Sequence, residues 1–203
     1  YLELLARWPD NPFESFERLQ ADWRPRVDGA SGRGLRAAKR RLKRAFRADN
    51  RDRLAAAIAE RPPDAVFVGC DNYFESQYAL HLATRANPKA RTCYVEDGVS
   101  AYEYSYRNLH RRNMLKEVVR IARYGRWYRP CLLVGSSGWL KEGYVAFPEL
   151  IHAKLRKLAL RELPPGAFTT PAMRAFAGLI GEQFGLDAER LRRADLIVAV
   201  TNS

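Results

Sequence analysis

AVFVG at residues 65–69 and TCYVE at residues 92–96 are two short apolar segments that decide the fold class of this chain. Each follows a turn-forming stretch that contains proline, and each is shorter than an ordinary helix, so both predict buried β-strands. Residues 74–85 lie between them and have the apolar spacing of an α-helix. A strand, a helix and a second strand in this order predict a Rossmann-like parallel sheet flanked by helices, which is an α/β fold.

The same alternation continues through the rest of the chain. Leu150, Leu155 and Leu158 are expected to face inward from one of the later helices. The further elements predicted are helices at 107–126, 149–161 and 171–185, and strands at 131–135, 144–147 and 196–200.

The first residues and the last strand both have the pattern of interrupted elements, so we expect the N-terminal portion of a longer, two-domain protein. Residues 1–193 are expected to form one domain, with a basic helical insertion at about 24–53. Residues 194–203 are expected to begin a second domain.

The composition is that of a folded protein in a reducing compartment. The chain has 203 residues and is 47% hydrophobic, which argues against a disordered protein. Its three cysteines contain no C-x-x-C pair and are too few for a disulfide framework. No apolar run approaches the ~20 residues of a membrane span. We therefore expect a cytoplasmic protein that is either free in solution or peripheral at the inner membrane.

The net charge of +12 is concentrated in two segments. Residues 24–53 contain 12 Lys and Arg against 3 Asp and Glu, residues 107–129 contain 8 against 1, and the remainder contains 15 against 19. Each segment also has an apolar stripe at helical spacing, with Phe46 in the first and Leu115, Val118 and Val119 in the second. Such helices contact nucleic acid, anionic lipid or acidic glycans, or are ordinary solvated helix faces. The candidate contact residues are Arg36, Lys39, Arg40, Lys43, Arg44, Arg111 and Arg112.

Polar residues follow the first two predicted strands, at the edge where open α/β sheets bind ligands. The first strand leads into Asp71-Asn72-Tyr73 and the second into Glu96-Asp97-Gly98. A carboxylate pair followed by glycine suits a general base, because glycine lets the backbone turn sharply and one side chain then faces the cleft. The alternative is a capped turn in which both carboxylates are solvated.

Three tyrosines occupy alternate positions after this triplet, at Tyr102, Tyr104 and Tyr106. In an extended segment they share one face, and their rings and hydroxyls suit the C–H faces and hydroxyl rims of sugars. A core-facing aromatic stripe is the alternative. The candidate acceptor-binding residues are Asp71, Asn72, Tyr73, Tyr102 and Tyr104.

YVEDGVSAY at residues 94–102 resembles the D/E-D/E-G motif region of bacterial sialyltransferases and polysialyltransferases. The resemblance covers about residues 64–152, whereas the family's second motif, a His-Pro pair, has no counterpart in this chain. It implies a GT-B-type enzyme of two Rossmann-type domains, in which this chain is the acceptor-side domain and residues 194–203 begin the donor-binding domain. It also implies that Asp97 is the general base, that Glu96 is its neighbour and that Gly98 forms the turn.

The activity implied by this resemblance is transfer of an acidic, sialic-acid-like sugar from a CMP-sugar donor to a surface glycan, as in capsule synthesis. The CMP-sugar is a substrate, and no cofactor is expected; no His, Cys and Asp set has metal-ligand spacing. One alternative is a basic α/β module that binds nucleic acid or an anionic membrane without catalysis. Another is a non-catalytic scaffold that docks on a membrane. Nucleic acid is the weaker partner because no recognised nucleic-acid-binding motif is present.

Overall fold

The computed structural model describes residues 7–8, 32–96, 102, 111–164, 166, 170–183 and 185. The chain forms two compact units, one made of Tyr1–Arg18 and Pro164–Ser203 and the other of Leu19–Leu163.

Four strands of the larger unit form one sheet in which every neighbouring pair is parallel. The register aligns Val68 with Tyr94, Tyr94 with Gly143, and Gly143 with Leu160. The predicted parallel α/β sheet is therefore confirmed. In sheet order, the strands are β1 (Ala65–Val68), β2 (Arg91–Val95), β3 (Glu142–Val145) and β4 (Ala159–Glu162).

Three described helices of this unit flank the sheet: α1 (Gly32–Glu60), α2 (Phe74–Ala86) and α3 (Arg111–Tyr124). The α2 helix forms where it was predicted. The α1 helix contains residues 32–53 of the basic insertion and continues past its predicted end, because 54–60 is a run of strong helix formers that stops before Pro62 and Pro63. α1 packs against α2, so it is a docked helix rather than an isolated one.

The core lies on one face of the sheet. Tyr94 of β2 and Val145 of β3 are fully buried there, together with Leu80 of α2. On the other face, Arg91 donates to Glu142 at 2.6 Å and to the hydroxyl of Tyr144 at 2.7 Å. The hydrogen bond from Arg91 lowers the pKa of Glu142. The remaining buried members of the core cluster are Leu133, Leu140, Ile151, Leu155 and Leu158.

Residues 131–135 form a buried turn and not the predicted strand. The N–H of Ser136 donates to the Leu133 carbonyl at 3.0 Å, and Gly135 has a φ of +80°. Leu133 is nevertheless buried. The apolar residues at 131–135 therefore predicted burial correctly but predicted the wrong backbone conformation. A buried turn and a buried strand can have the same composition.

Residues 149–161 do not form the predicted helix. They contain two 3₁₀ turns, Pro148–Leu150 and Ala153–Leu155, after which the chain enters β4. Leu155 and Leu158 are buried as expected, but Leu150 is exposed. The Leu155 N–H bonds to the His152 carbonyl and the Leu158 N–H to the Leu155 carbonyl, so three-residue turns bury side chains whose spacing also fits a helix.

The strand expected at 144–147 is β3, which begins two residues earlier, at Glu142. In the smaller unit, α4 (Pro171–Gln183) occupies most of the predicted helix at 171–185. The indole of Trp8 stacks on Phe176 at 4.6 Å and donates to the Ala172 carbonyl at 2.7 Å. The predicted strand at 196–200 lies outside the described residues.

Two glycines with similar backbone angles provide a test of how tightly the buried turn is packed. A Cβ on Gly135 lies 3.2 Å from Leu155 and 3.4 Å from Tyr94, whereas a Cβ on Gly125, at a φ of +85°, has nothing within 4 Å. We expect Gly125→Ala to lower the free energy of unfolding by about 1 kcal/mol, through backbone strain alone. Gly135→Ala is expected to cost about 2–3 kcal/mol because overpacking adds to that strain. Urea unfolding measures both, and equal losses would contradict the tight packing.

Candidate active site

The carboxyl ends of β1, β2 and β3 lie along one edge of the sheet because the strands are parallel. Residues 69–73 follow β1, Glu96 follows β2, and Ala146 and Phe147 follow β3. This is the edge at which open α/β sheets bind ligands. The predicted catalytic and acceptor-binding residues that the structure describes all lie in these connections or, for Tyr102, bond to them.

Glu96 connects the ends of β2 and β3. Its backbone N–H donates to the Tyr144 carbonyl at 3.0 Å, and its carboxylate accepts from the Ala146 N–H at 2.7 Å. The Tyr102 hydroxyl donates to the same carboxylate oxygen and accepts from the Phe147 N–H at 3.1 Å. Glu96 is therefore held in one orientation by the backbone of the neighbouring strand.

Tyr102 is half-buried beside Phe147, with 6.2 Å between the ring centres. Burial and the hydrogen bond to Glu96 raise the pKa of Tyr102, so the phenol stays protonated as a donor. Its hydroxyl already has two partners, which leaves the ring rather than the hydroxyl as the group a sugar could contact. Phe147 is half exposed and is not among the predicted site residues; its position directly after a strand was the available signal.

Asp71 is fully buried and bonds to the turn at 131–137. Its Oδ1 accepts from the Gly135 N–H at 2.7 Å and from the Cys131 thiol at 3.1 Å, and its Oδ2 accepts from the Ser137 N–H at 2.7 Å. Burial, and then the charge of Asp71, raise the pKa of Cys131, so the thiol remains a donor. This differs from the predicted role, because a carboxylate without solvent access cannot bond directly to an acceptor sugar.

The neighbours of Asp71 are more accessible. Asn72 is half-buried and Tyr73 is 65% exposed. The Gln77 side chain fixes their connection, since its amide nitrogen donates to the Asp71 carbonyl at 2.9 Å and to the Arg129 carbonyl at 2.8 Å. Tyr73 thus offers an exposed aromatic ring on a rigidly held backbone. Asp97, Gly98 and Tyr104 lie outside the described residues.

The two basic segments approach each other. Arg47 of α1 donates to the Tyr124 hydroxyl of α3, and its guanidinium lies 5.5 Å from the centre of the same ring. Loss of part of its hydration, then the charge of Arg47 and smaller effects of Arg120 and Arg123, lower the pKa of Lys43, and the charge of Glu75 partly opposes them. Cations from both segments therefore share one positive region.

The predicted contact residues differ in how much of them the structure describes. Lys39 is half-buried, and Arg40, Lys43 and Arg44 are exposed. For Arg36, Arg111 and Arg112 only the position within a helix is described.

Comparison of the chain with protein-family models, with curated proteins and with solved structures gives no match. Among the described side chains, no group of three or more His, Cys, Asp or Glu could hold a metal ion. None of the described helices is long and apolar enough to cross a bilayer.

Asp71→Asn tests the role of the buried carboxylate. The amide places an NH2 group where one acceptor oxygen stood, so a buried backbone donor loses its partner. We expect the free energy of unfolding to fall by about 2–4 kcal/mol. Asp52→Asn, on the exposed side of α1, is the control and should change stability little. Chemical denaturation measures both, and a loss no larger for Asp71→Asn than for the control would contradict the structural role.

Tyr102→Phe tests the link between β2 and β3. It removes one donor to Glu96 and the acceptor of the Phe147 N–H, so we expect a loss of about 1–2 kcal/mol at neutral pH. Because the folded-state pKa of Tyr102 is raised, its contribution is full below the ordinary value of about 10 and is lost above it. The stability difference between wild type and Tyr102→Phe should therefore shrink as pH rises past that value. A difference that is constant with pH would contradict this assignment.

Proposed function

We propose that this chain is the acceptor-side domain of a glycosyltransferase that transfers an acidic, sialic-acid-like sugar from a CMP-activated donor to a glycan hydroxyl. The observation that carries the proposal is the position of Glu96, the first residue of the Glu96-Asp97-Gly98 triplet, directly after β2, an interior strand of the parallel sheet. Ligands of open α/β sheets bind at this edge. The resemblance of residues 94–102 to the D/E-D/E-G motif supports the same assignment.

The two carboxylates have different roles in this proposal. Glu96 already accepts from Ala146 and Tyr102, so it is a positioning residue that fixes the backbone from which Asp97 follows. Asp97 is then the base. A rigid neighbour matters because a general base must lie within hydrogen-bond reach of the proton that it removes.

The proposed reaction is a direct displacement. The acceptor hydroxyl oxygen forms a bond to the anomeric carbon of the donor sugar while the Asp97 carboxylate takes the hydroxyl proton. The bond between the anomeric carbon and the phosphate oxygen breaks, and CMP leaves with that electron pair. Removal of the proton by a positioned base contributes about 10²–10⁴-fold in rate.

The acceptor sugar is assigned to aromatic surfaces at the same sheet edge. Tyr73 is largely exposed after β1, and Phe147 is half exposed after β3 beside the Tyr102 ring. Aromatic faces suit the C–H faces of pyranose rings. The positive region formed by α1 and α3 suits an acceptor that is itself acidic.

A non-catalytic module that binds polyanions is the second candidate function. It is favoured by the approach of Lys43 and Arg47 to Arg120 and Arg123, which concentrates positive charge without any catalytic group. This candidate predicts binding of acidic glycans without release of CMP from a donor.

Asp97→Asn in the full-length protein tests the proposed base. We expect the transfer rate to fall about 10²–10⁴-fold because an amide cannot take the acceptor proton. The assay measures CMP release from CMP-sialic acid in the presence of glycan acceptors, and circular dichroism verifies folding.

Asp64→Asn is the matched control, since this exposed carboxylate precedes β1 at the opposite edge of the sheet; it should transfer at the wild-type rate. Wild-type turnover by a folded Asp97→Asn variant would refute the assignment of the base. Failure of the wild type to release CMP with any acidic glycan acceptor would refute the transferase function.

A further inference from the structure

The α3 helix has its polar side inward and its apolar side outward. Glu117 is only 7% exposed, whereas Leu115 is 64%, Val118 59% and Val119 57% exposed. Helical periodicity puts these three aliphatic residues on one side and Glu117 on the other. Met114 and Ile121 extend the exposed apolar side. A surface helix of a globular protein has the reverse arrangement.

Polar bonds fix this orientation. One carboxylate oxygen of Glu117 accepts from the Tyr128 hydroxyl at 2.8 Å and from the Cys131 N–H at 3.2 Å, and the other accepts from Arg120. Burial and the hydrogen bond to Glu117 raise the pKa of Tyr128, which keeps its hydroxyl as a donor. Rotating α3 to bury its aliphatic side would move Glu117 away from the Tyr128 hydroxyl and the Cys131 N–H and leave these buried donors unmatched, so the exposed apolar side is a built feature.

The charge around this apolar side has one sign. Residues 111–126 contain six Lys and Arg and a single acid, Glu117, which is buried and bonded. Lys116, Arg123 and Arg126 are exposed. Lys43 and Arg47 of α1 add to the same positive region. A second copy of α3 would bring like charges together, and a nucleic acid would leave the aliphatic row without a partner.

We propose that α3 is a docking surface for an anionic lipid bilayer. Leu115, Val118 and Val119 enter the boundary between headgroups and acyl chains, and Lys116 and Arg126 contact lipid phosphates from the rim. An amphipathic helix with an aliphatic face and basic neighbours binds parallel to such a surface, through apolar burial together with attraction to anionic lipid. Its 14 residues give it a length of about 21 Å along the membrane plane.

The test is flotation of the full-length protein with phosphatidylcholine vesicles, with and without about one third phosphatidylglycerol. The wild type should float with the anionic vesicles and should bind the neutral ones much more weakly. Leu115→Gln combined with Val118→Gln is expected to lower partitioning about tenfold or more. Both side chains are exposed, so the fold should remain, as a thermal melt would verify.

Leu150→Gln is the matched control because Leu150 is the same residue type with the same exposure, 64%, away from α3; it should float like the wild type. Lys116→Gln with Arg126→Gln should weaken binding to anionic vesicles and abolish part of its salt sensitivity. Membrane binding through α3 does not require catalysis, so the Asp97→Asn variant should float like the wild type.

Three outcomes would overturn the docking surface. The first is a wild type that does not float with anionic vesicles. The second is equal flotation of the α3 variant and the Leu150→Gln control. The third is tighter binding to an oligonucleotide than to vesicles, or a self-association that Leu115→Gln abolishes, since either assigns the helix to a different partner.

Discussion

The N–H groups of Gly135 and Ser137 and the thiol of Cys131 all donate to the fully buried carboxylate of Asp71. A carboxylate without water must be matched by donors, and here the donors come from a segment with no regular structure of its own. This cluster fixes the connection that follows β1 relative to the turn that precedes β3. The buried turn and the ligand-binding edge of the sheet therefore share one set of hydrogen bonds.

The same cluster explains which elements could be predicted from the sequence. β1, β2 and α2 could be predicted, because breakers, β-branched residues and apolar spacing are local signals. The conformation of residues 131–135 could not, because its deciding partner, Asp71, lies 64 positions before Gly135. The helix predicted at 149–161 was wrong for a related reason. A 3₁₀ turn and an α-helix bury side chains at similar spacing, and the pairing of β4 with β3 excludes a continuous helix here.

At the candidate site, too, the sequence predicted the position of the acids but not their contacts. The sequence identified a carboxylate pair at a strand end, and Glu96 does lie at the carboxyl edge of the sheet. The residue pattern alone could not separate the two acids, and the assignment of Asp97 as the base came only from the resemblance. The structure adds that the Ala146 N–H and the Tyr102 hydroxyl bond to Glu96. Both partners are set by tertiary structure. A carboxylate engaged in this way suits the positioning role that the proposed reaction gives to Glu96.

The structure also places part of the net positive charge beside the apolar side of α3. Sequence periodicity gave α3 an apolar and a basic side, but which side faces the protein depends on Glu117, whose burial is compensated by Tyr128, the Cys131 N–H and Arg120. Exposed aliphatic rows promote aggregation unless a partner covers them or charge keeps the molecules apart. Surrounding Lys and Arg repel other copies in solution, and the same charges attract an anionic lipid surface. In the proposed docking, one arrangement thus keeps α3 from self-association and directs it to an anionic membrane.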